Sequence, residues 1–243
     1  MPFTFSHPAA VLPLTVLPKR WTSMTGLVIG SMTPDFEYFL RMKVSSIYSH
    51  TWTGLFWFDL PLTIILAFVF HLVVRDRLID NLPNVLTRRL LVFKNFNWTN
   101  HFRENILVVI LSGVVGISTH ILWDSFTHEQ GHFVQAFDGL QNTFTIAGHS
   151  FATYKVLQHS STIVGGLIII YALLQIPADK IFSKQKSIFP FWFLVGVITL
   201  AVVTTRLLTG LDYKLYGNLI ITFITGGLFG LVLTPTFLKL INR

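Results

Sequence analysis

The sequence predicts an all-α, polytopic membrane helical bundle of about five spanning helices plus short N-terminal half-helices. Three observations carry this. Hydrophobic residues make up 52% of the chain and charged residues only 12%, against about 25% charged in a soluble domain. A chain so apolar cannot cover itself in water. Five segments meet or approach the roughly 20 apolar residues that a helix needs to cross a bilayer core: 55–74, 105–123, 162–176, 188–208 and 218–238. The basic residues gather mostly between these segments, as juxtamembrane anchors do.

Two shorter apolar stretches come first, Pro8 to Leu17 and Met24 to Ile29. Neither spans a bilayer alone. They read as half-helices or re-entrant segments, which survive in lipid when packed against protein. The opening residues lack the basic start and cleavage site of a secretory signal. No Gly/Ser run, Pro-rich tract or convincing repeat interrupts the chain, so residues 1–243 read as a single integral membrane domain. The third segment is the shortest, and the residues before it can extend it. Gly165-Gly166 and Gly226-Gly227 sit in apolar spans, where small residues let helices pack closely.

Charge sets the orientation. Arg75, Arg77, Arg88, Arg89, Lys94 and Arg103 lie between the first and second spans. Lys180, Lys184 and Lys186 lie between the third and fourth, and Lys239 and Arg243 follow the fifth. The positive-inside rule places these regions in the cytoplasm, and the N-terminal part and the 125–161 loop outside. Arg41 and Lys43 run against this bias. With the nine histidines sorted in this way, only His71 and His101 fall on the cytoplasmic side, where they read as packed or interfacial groups.

The strongest local pattern is Ser118-Thr-His-Ile-Leu-Trp-Asp-Ser-Phe-Thr-His128. His120, Asp124 and His128 stand four apart, so a helix aligns them on one face. Imidazole and carboxylate at that spacing can close on a divalent ion. With no cysteine in the chain, nitrogen and oxygen are the ligands on offer. In Ser31-Met-Thr-Pro-Asp-Phe-Glu37, carboxylates follow an apolar segment, which is costly in lipid unless they are paired or bound to metal. Asp35 reads as a ligand or general base, or else as a helix N-cap; Glu37 reads as a supporting group or general base. His7 precedes Pro8 at a helix start. His50 lies just before the first span, and His159 just before the third, where Ser161 or Thr162 can cap. Each of these three is bland alone and gains weight from the shared membrane face.

The stretches MPFTFSHPAAVLPL, GSMTPDFEYFL, SHTWTGLFWFDLP, THILWDSFTHEQG and YKVLQHSST together resemble the bacterial membrane proteins of the domain-of-unknown-function 4184 family. The likeness covers nearly the whole chain. It implies a multi-pass protein of the bacterial inner (plasma) membrane and brings no activity with it. More distantly, the order of His and Asp residues looks like membrane-bound metal-dependent hydrolases and zinc-dependent phospholipase C. That likeness implies His7, Asp35, His50, His120, Asp124, His128 and His159 as metal ligands, with Asp124 able to bridge. The glutamate that usually follows the last histidine is missing, so one or two zinc ions are expected.

The expected function is a membrane-embedded metal-dependent hydrolase, its site near the non-cytoplasmic face, acting on a lipid or lipid-linked phosphoester. Membrane lipid is the expected partner. Nucleic acid is not, because no contiguous basic patch with interleaved aromatics occurs. A structural metal site in a scaffold or assembly protein is the alternative, and a transporter the third reading.

Overall fold

The computed structural model describes residues 3–146, 148–179, 187–212 and 214–241. Among the described residues the chain is mostly helical, and its strands form one antiparallel hairpin, in which Thr143–Ile146 pairs with His149–Ala152. Five helices are long and apolar enough to cross a membrane: Trp52–Asp80, Ile106–Ala136, Thr153–Gln175, Phe189–Leu208 and Tyr216–Lys239. The fold is therefore the expected polytopic helical bundle. The second of these is regular α-helix over Ile106–Thr127, broken after His128 and resumed as a short turn at His132–Ala136.

The boundaries differ from the expected ones in instructive places. The third span starts at Thr153, well before the apolar run. Its polar stretch is accommodated within the helix, the hydroxyls being satisfied upstream: Ser160 Oγ donates to the Leu157 carbonyl, and Ser161 Oγ and Thr162 Oγ1 donate to that of Gln158. Ser161 and Thr162 are thus interior helical residues, not caps. The first span contains two π-helical stretches, Leu55–Asp59 and Phe70–Val74, which apolar periodicity gives no sign of.

The described residues fall into two compact units. Each unit draws on three stretches of chain, which explains why no linker marks them in the sequence. The first comprises Met1–Asp35, Tyr48–Ile64 and Glu104–Ala172. Its N-terminal segments are the short helices Pro8–Val11 and Met24–Gly30, as expected of half-helices, with Pro8 in the first turn. Met24–Gly30 lies on the second span at backbone distance. A Cβ on Gly26 would sit 2.7 Å from the Val109 carbonyl oxygen, and one on Gly30 2.6 Å from that of Gly113. Gly116 faces the Leu27 carbonyl with equally little room. Ser112 Oγ accepts the Ser23 N–H at 2.8 Å and fixes the register. Small residues permit such close approach in membranes, where dispersion replaces the hydrophobic effect between helices. Gly165 likewise meets Ser6, whose hydroxyl donates to the Thr162 carbonyl at 3.0 Å.

The second unit comprises Phe36–Ile47, Ile65–Arg103 and Leu173–Arg243. Its fourth and fifth spans pack through Gly226 against Thr199 and Gly230 against Val195. Thr225 Oγ1 donates to the Phe39 carbonyl at 3.0 Å. Buried Arg75 donates to the carbonyls of Phe96 and Lys94. His71 stacks on Trp98, ring centroids 4.8 Å apart. His71 and His101 are thus packed among aromatic rings, as the sequence suggests for that side.

Candidate metal centre

The first unit brings six of the expected ligands together, and local structure explains each. His120 and Asp124 occupy the last two turns of the Ile106–Thr127 helix, four residues apart and so on one face. The close glycine packing delivers the Ser31 carbonyl oxygen to 2.7 Å from His120 Nδ1. A carbonyl only accepts, so Nδ1 carries a proton, and when His120 is neutral, as metal binding requires, Nε2 presents its lone pair. Asp35 ends the 3-10 turn Thr33–Asp35. Its Oδ2 accepts from Thr4 Oγ1 at 2.6 Å, leaving Oδ1 for other work.

His50 sits in a tight turn, its φ of +61° in the left-handed region. A non-glycine residue there costs about 1–3 kcal/mol and persists where the surroundings impose it. The imposition is visible. Thr51 Oγ1 accepts the Gly54 N–H, and Gly54 lies so close to the Tyr48 carbonyl that no side chain fits. Ser49 Oγ is 2.9 Å from His50 Nδ1, which leaves Nε2 directed at the carboxylates.

One ligand atom from each of Asp35, His50, His120 and Asp124 lies within 4.8 Å of the others. His50 Nε2 is 3.4 Å from Asp35 Oδ1 and 3.5 Å from Asp124 Oδ2. His120 Nε2 is 3.6 Å and 3.4 Å from the same two oxygens. Charge-assisted hydrogen bonds settle at about 2.7–2.9 Å, so these four edges are too long for them. A tetrahedron of ligands at about 2.0–2.1 Å from a central ion has edges of about 3.3–3.4 Å. The spacing fits a coordination shell. Satisfaction agrees: among the described residues His120 Nε2, Asp35 Oδ1 and both Asp124 oxygens are buried without a hydrogen bond. Each such atom costs about 1–3 kcal/mol, more for charged groups. A cation at the centre removes that cost, so this buried Asp/His/His/Asp group can hold a metal ion.

His7 and His128 flank the four. His7 stacks on His120 with centroids 3.7 Å apart, and its Nε2 is 3.6 Å from Asp124 Oδ1. Asp124 thus turns one oxygen toward His50 and His120 and the other toward His7, the posture of a bridging carboxylate. His128 departs from the expected helical row. It is the extended C-cap residue of the helix, with ψ of 142°. It returns to the cluster through its ring, Nδ1 lying 3.0 Å from the Asp124 carbonyl oxygen and 3.6 Å from Asp124 Oδ2.

The electrostatics follow from burial and proximity. Burial, then the His120 charge, pushes His7 down to about 3. Burial alone would raise Asp35, but the positive charge of a protonated His120 beside it outweighs this and holds the carboxyl well below the usual carboxylate range. Burial would lower His50, yet the Asp124 and Asp35 carboxylates raise it. A neutral His7 and an ionised Asp35 are the forms that bind metal. Exposure is uneven across the cluster: the side chains are 0% exposed at Asp35 and His120, 17% at His50 and 30% at His128, while the His50 and His128 Nε2 atoms are themselves buried.

Two expected residues have other placements. His159 is exposed on the Thr153–Gln175 helix. Glu37 is buried, but its Oε1 accepts from Arg41 Nε at 2.7 Å and from the Ile47 N–H at 2.9 Å, a structural use. Sequence reading passes over Thr4 and the Ser31 carbonyl, which orient Asp35 and His120. The signal for Ser31 was Gly26-x-x-x-Gly30, a close-packing pattern just upstream.

A bundle of membrane-spanning helices with a buried His/Asp cluster at the end of one span defines the class: a multi-pass membrane protein with a candidate metal centre. The family model for a domain of unknown function (DUF4184) matches residues 1–236, and the chain belongs to that family. No curated protein and no solved structure matches it. The likeness to metal-dependent hydrolases and phospholipase C gains no support from these comparisons.

Proposed function

We propose that this chain is a membrane-embedded metal-dependent hydrolase acting on lipid or lipid-linked phosphoesters, with phospholipase C-like chemistry. The supporting observation is the His/Asp shell, whose ligand atoms stand at coordination spacing with His50 and His128 as its most exposed side chains. Zinc is the favoured ion for an imidazole–carboxylate set. Asp35, His50, His120 and Asp124 would hold one ion. His7 and His128, which flank Asp124, are the residues available to a second. A bound divalent cation supplies a water of lowered pKa and positive charge for a phosphoester oxygen. The chain's own groups would position it: the Ser31 carbonyl orients His120, Thr4 holds Asp35, and His50 and His128 stand on the more exposed edge.

Depth favours a lipid-borne substrate. The 22-residue Ile106–Thr127 helix is about 33 Å long, roughly the thickness of the bilayer core. Its last two turns, with His120 and Asp124, then reach the headgroup level. Charge bias assigns that end to the non-cytoplasmic face of a bacterial plasma membrane.

The test is hydrolysis by detergent-purified, zinc- or manganese-loaded protein of bis(p-nitrophenyl) phosphate and of diacyl phospholipids. Activity should vanish in His120→Ala and Asp124→Asn variants that retain their helical signal. A loaded wild-type protein that turns over no phosphoester counts against the proposal. That outcome favours a second reading, a structural ion in a scaffold protein. One observation supports it: the ligands come from three separate stretches, which a metal would tie together.

A further inference from the structure

The second unit carries a different site. Between the helix Asn84–Leu90, the turn Leu91–Asn95 and residues 177–179 lies an open, solvent-facing cavity of about 650 Å³. Its walls are stitched together. Arg88 Nε donates to the Asp179 carbonyl at 2.9 Å, and the Asp179 N–H returns to the Arg88 carbonyl at 2.8 Å. Arg89 Nη1 donates to the Ile176 carbonyl. Arg88, Arg89 and Lys94 line the cavity, beside one lining carboxylate, Asp179.

The two guanidinium groups are held by backbone carbonyls, which do not neutralise them. Each has five N–H donors, and a single one is committed in each of the bonds above. Arg89 Nε is buried and makes no hydrogen bond among the described residues. Lys94 Nζ forms an ion pair with Asp80, which lies outside the cavity lining. Leu91, Val92 and Pro177 add an apolar part to the same lining. Preorganised, forked donors in a partly apolar cavity suit a phosphate group that carries an acyl chain. In the sequence these arginines follow the first span, in the region that charge bias assigns to the cytoplasmic leaflet.

The geometry points to a binding site for a phosphate monoanion or diester at Arg88, Arg89 and Lys94, filled by the headgroup of an anionic phospholipid. The site is separate from the metal centre and does not depend on it. At about 1 kcal/mol for each basic group near an anionic headgroup, removing both arginines weakens binding about thirtyfold.

The experiment uses the full chain purified in mild detergent, with native mass spectrometry counting retained phosphatidylglycerol or cardiolipin against phosphatidylcholine. Isothermal titration with inorganic phosphate forms the second arm. Wild type should retain anionic lipid selectively, and Arg88→Gln/Arg89→Gln should lose it about thirtyfold. Lys94→Gln, which disturbs no backbone contact given above, should lose it in part, guarding against a misfolded double variant. Phosphate titrating wild type but not the variants, without lipid retention, keeps the site and assigns it a soluble phosphate. Equal retention of anionic and zwitterionic lipid by wild type and variants, with no phosphate binding, overturns the inference.

Discussion

Gly30→Ala should loosen the metal centre from a distance. The added Cβ would lie 2.6 Å from the Gly113 carbonyl oxygen and 3.1 Å from Gly113 Cα. Carbon–oxygen contact needs about 3.3 Å, so the Met24–Gly30 helix must retreat by about 0.7 Å. Ser31 is the next residue, and its carbonyl stands 2.7 Å from His120 Nδ1. The same retreat lengthens that bond to about 3.4 Å, beyond useful strength. Overpacking of this kind costs about 1–3 kcal/mol. Losing the group that orients a ligating histidine lowers metal affinity about 10–100-fold. The assay is zinc competition against a chelator of known affinity, with thermal melting in parallel. Gly166→Ala, with nothing within 4 Å of its new Cβ, is the control. Unchanged affinity in Gly30→Ala would refute the claim that this helix contact sets the His120 tautomer.

Other substitutions test other parts. Thr4→Val removes the donor to Asp35 Oδ2 and should cost about 1–3 kcal/mol in melting experiments, together with weaker metal binding; a neutral result would detach Thr4 from the site. His159→Ala should leave metal content unchanged and stability within about 0.5 kcal/mol, because His159 is exposed on its helix. Loss of the metal in that variant would restore His159 as a ligand. In metal-free protein, the His7 value falls from 6.5 unfolded to about 3 folded, so folding favours its neutral form. That stabilisation is present above pH 6.5 and lost as pH falls toward about 3. His7→Gln should flatten the pH dependence of melting in this window, and an unchanged slope would contradict it.

How much of this was legible depended on where the information lies. The five spans were readable because a bilayer demands about 20 apolar residues in succession. The start of the third was not, since Ser160, Ser161 and Thr162 look like a boundary until their hydroxyls are seen to bond upstream. His120 and Asp124 declared themselves by helical spacing. His7, Asp35 and His50 did so only by order and by membrane side, as their meeting depends on glycine contacts far apart in sequence. The Ser31 carbonyl has no residue signature of its own, and only the Gly26-x-x-x-Gly30 packing pattern upstream hints at it. Glu37 has a local partner that the sequence already offered, Arg41 four residues on.

The central claim is that Asp35, His50, His120 and Asp124 hold a metal ion. The most direct test is the metal content of detergent-purified protein by elemental mass spectrometry, comparing wild type with His120→Ala/Asp124→Ala. One or two equivalents of zinc or a similar divalent ion in wild type, absent from the double variant, is the expected result. No stoichiometric metal in a folded wild-type protein, even after reconstitution with zinc or manganese, would contradict it.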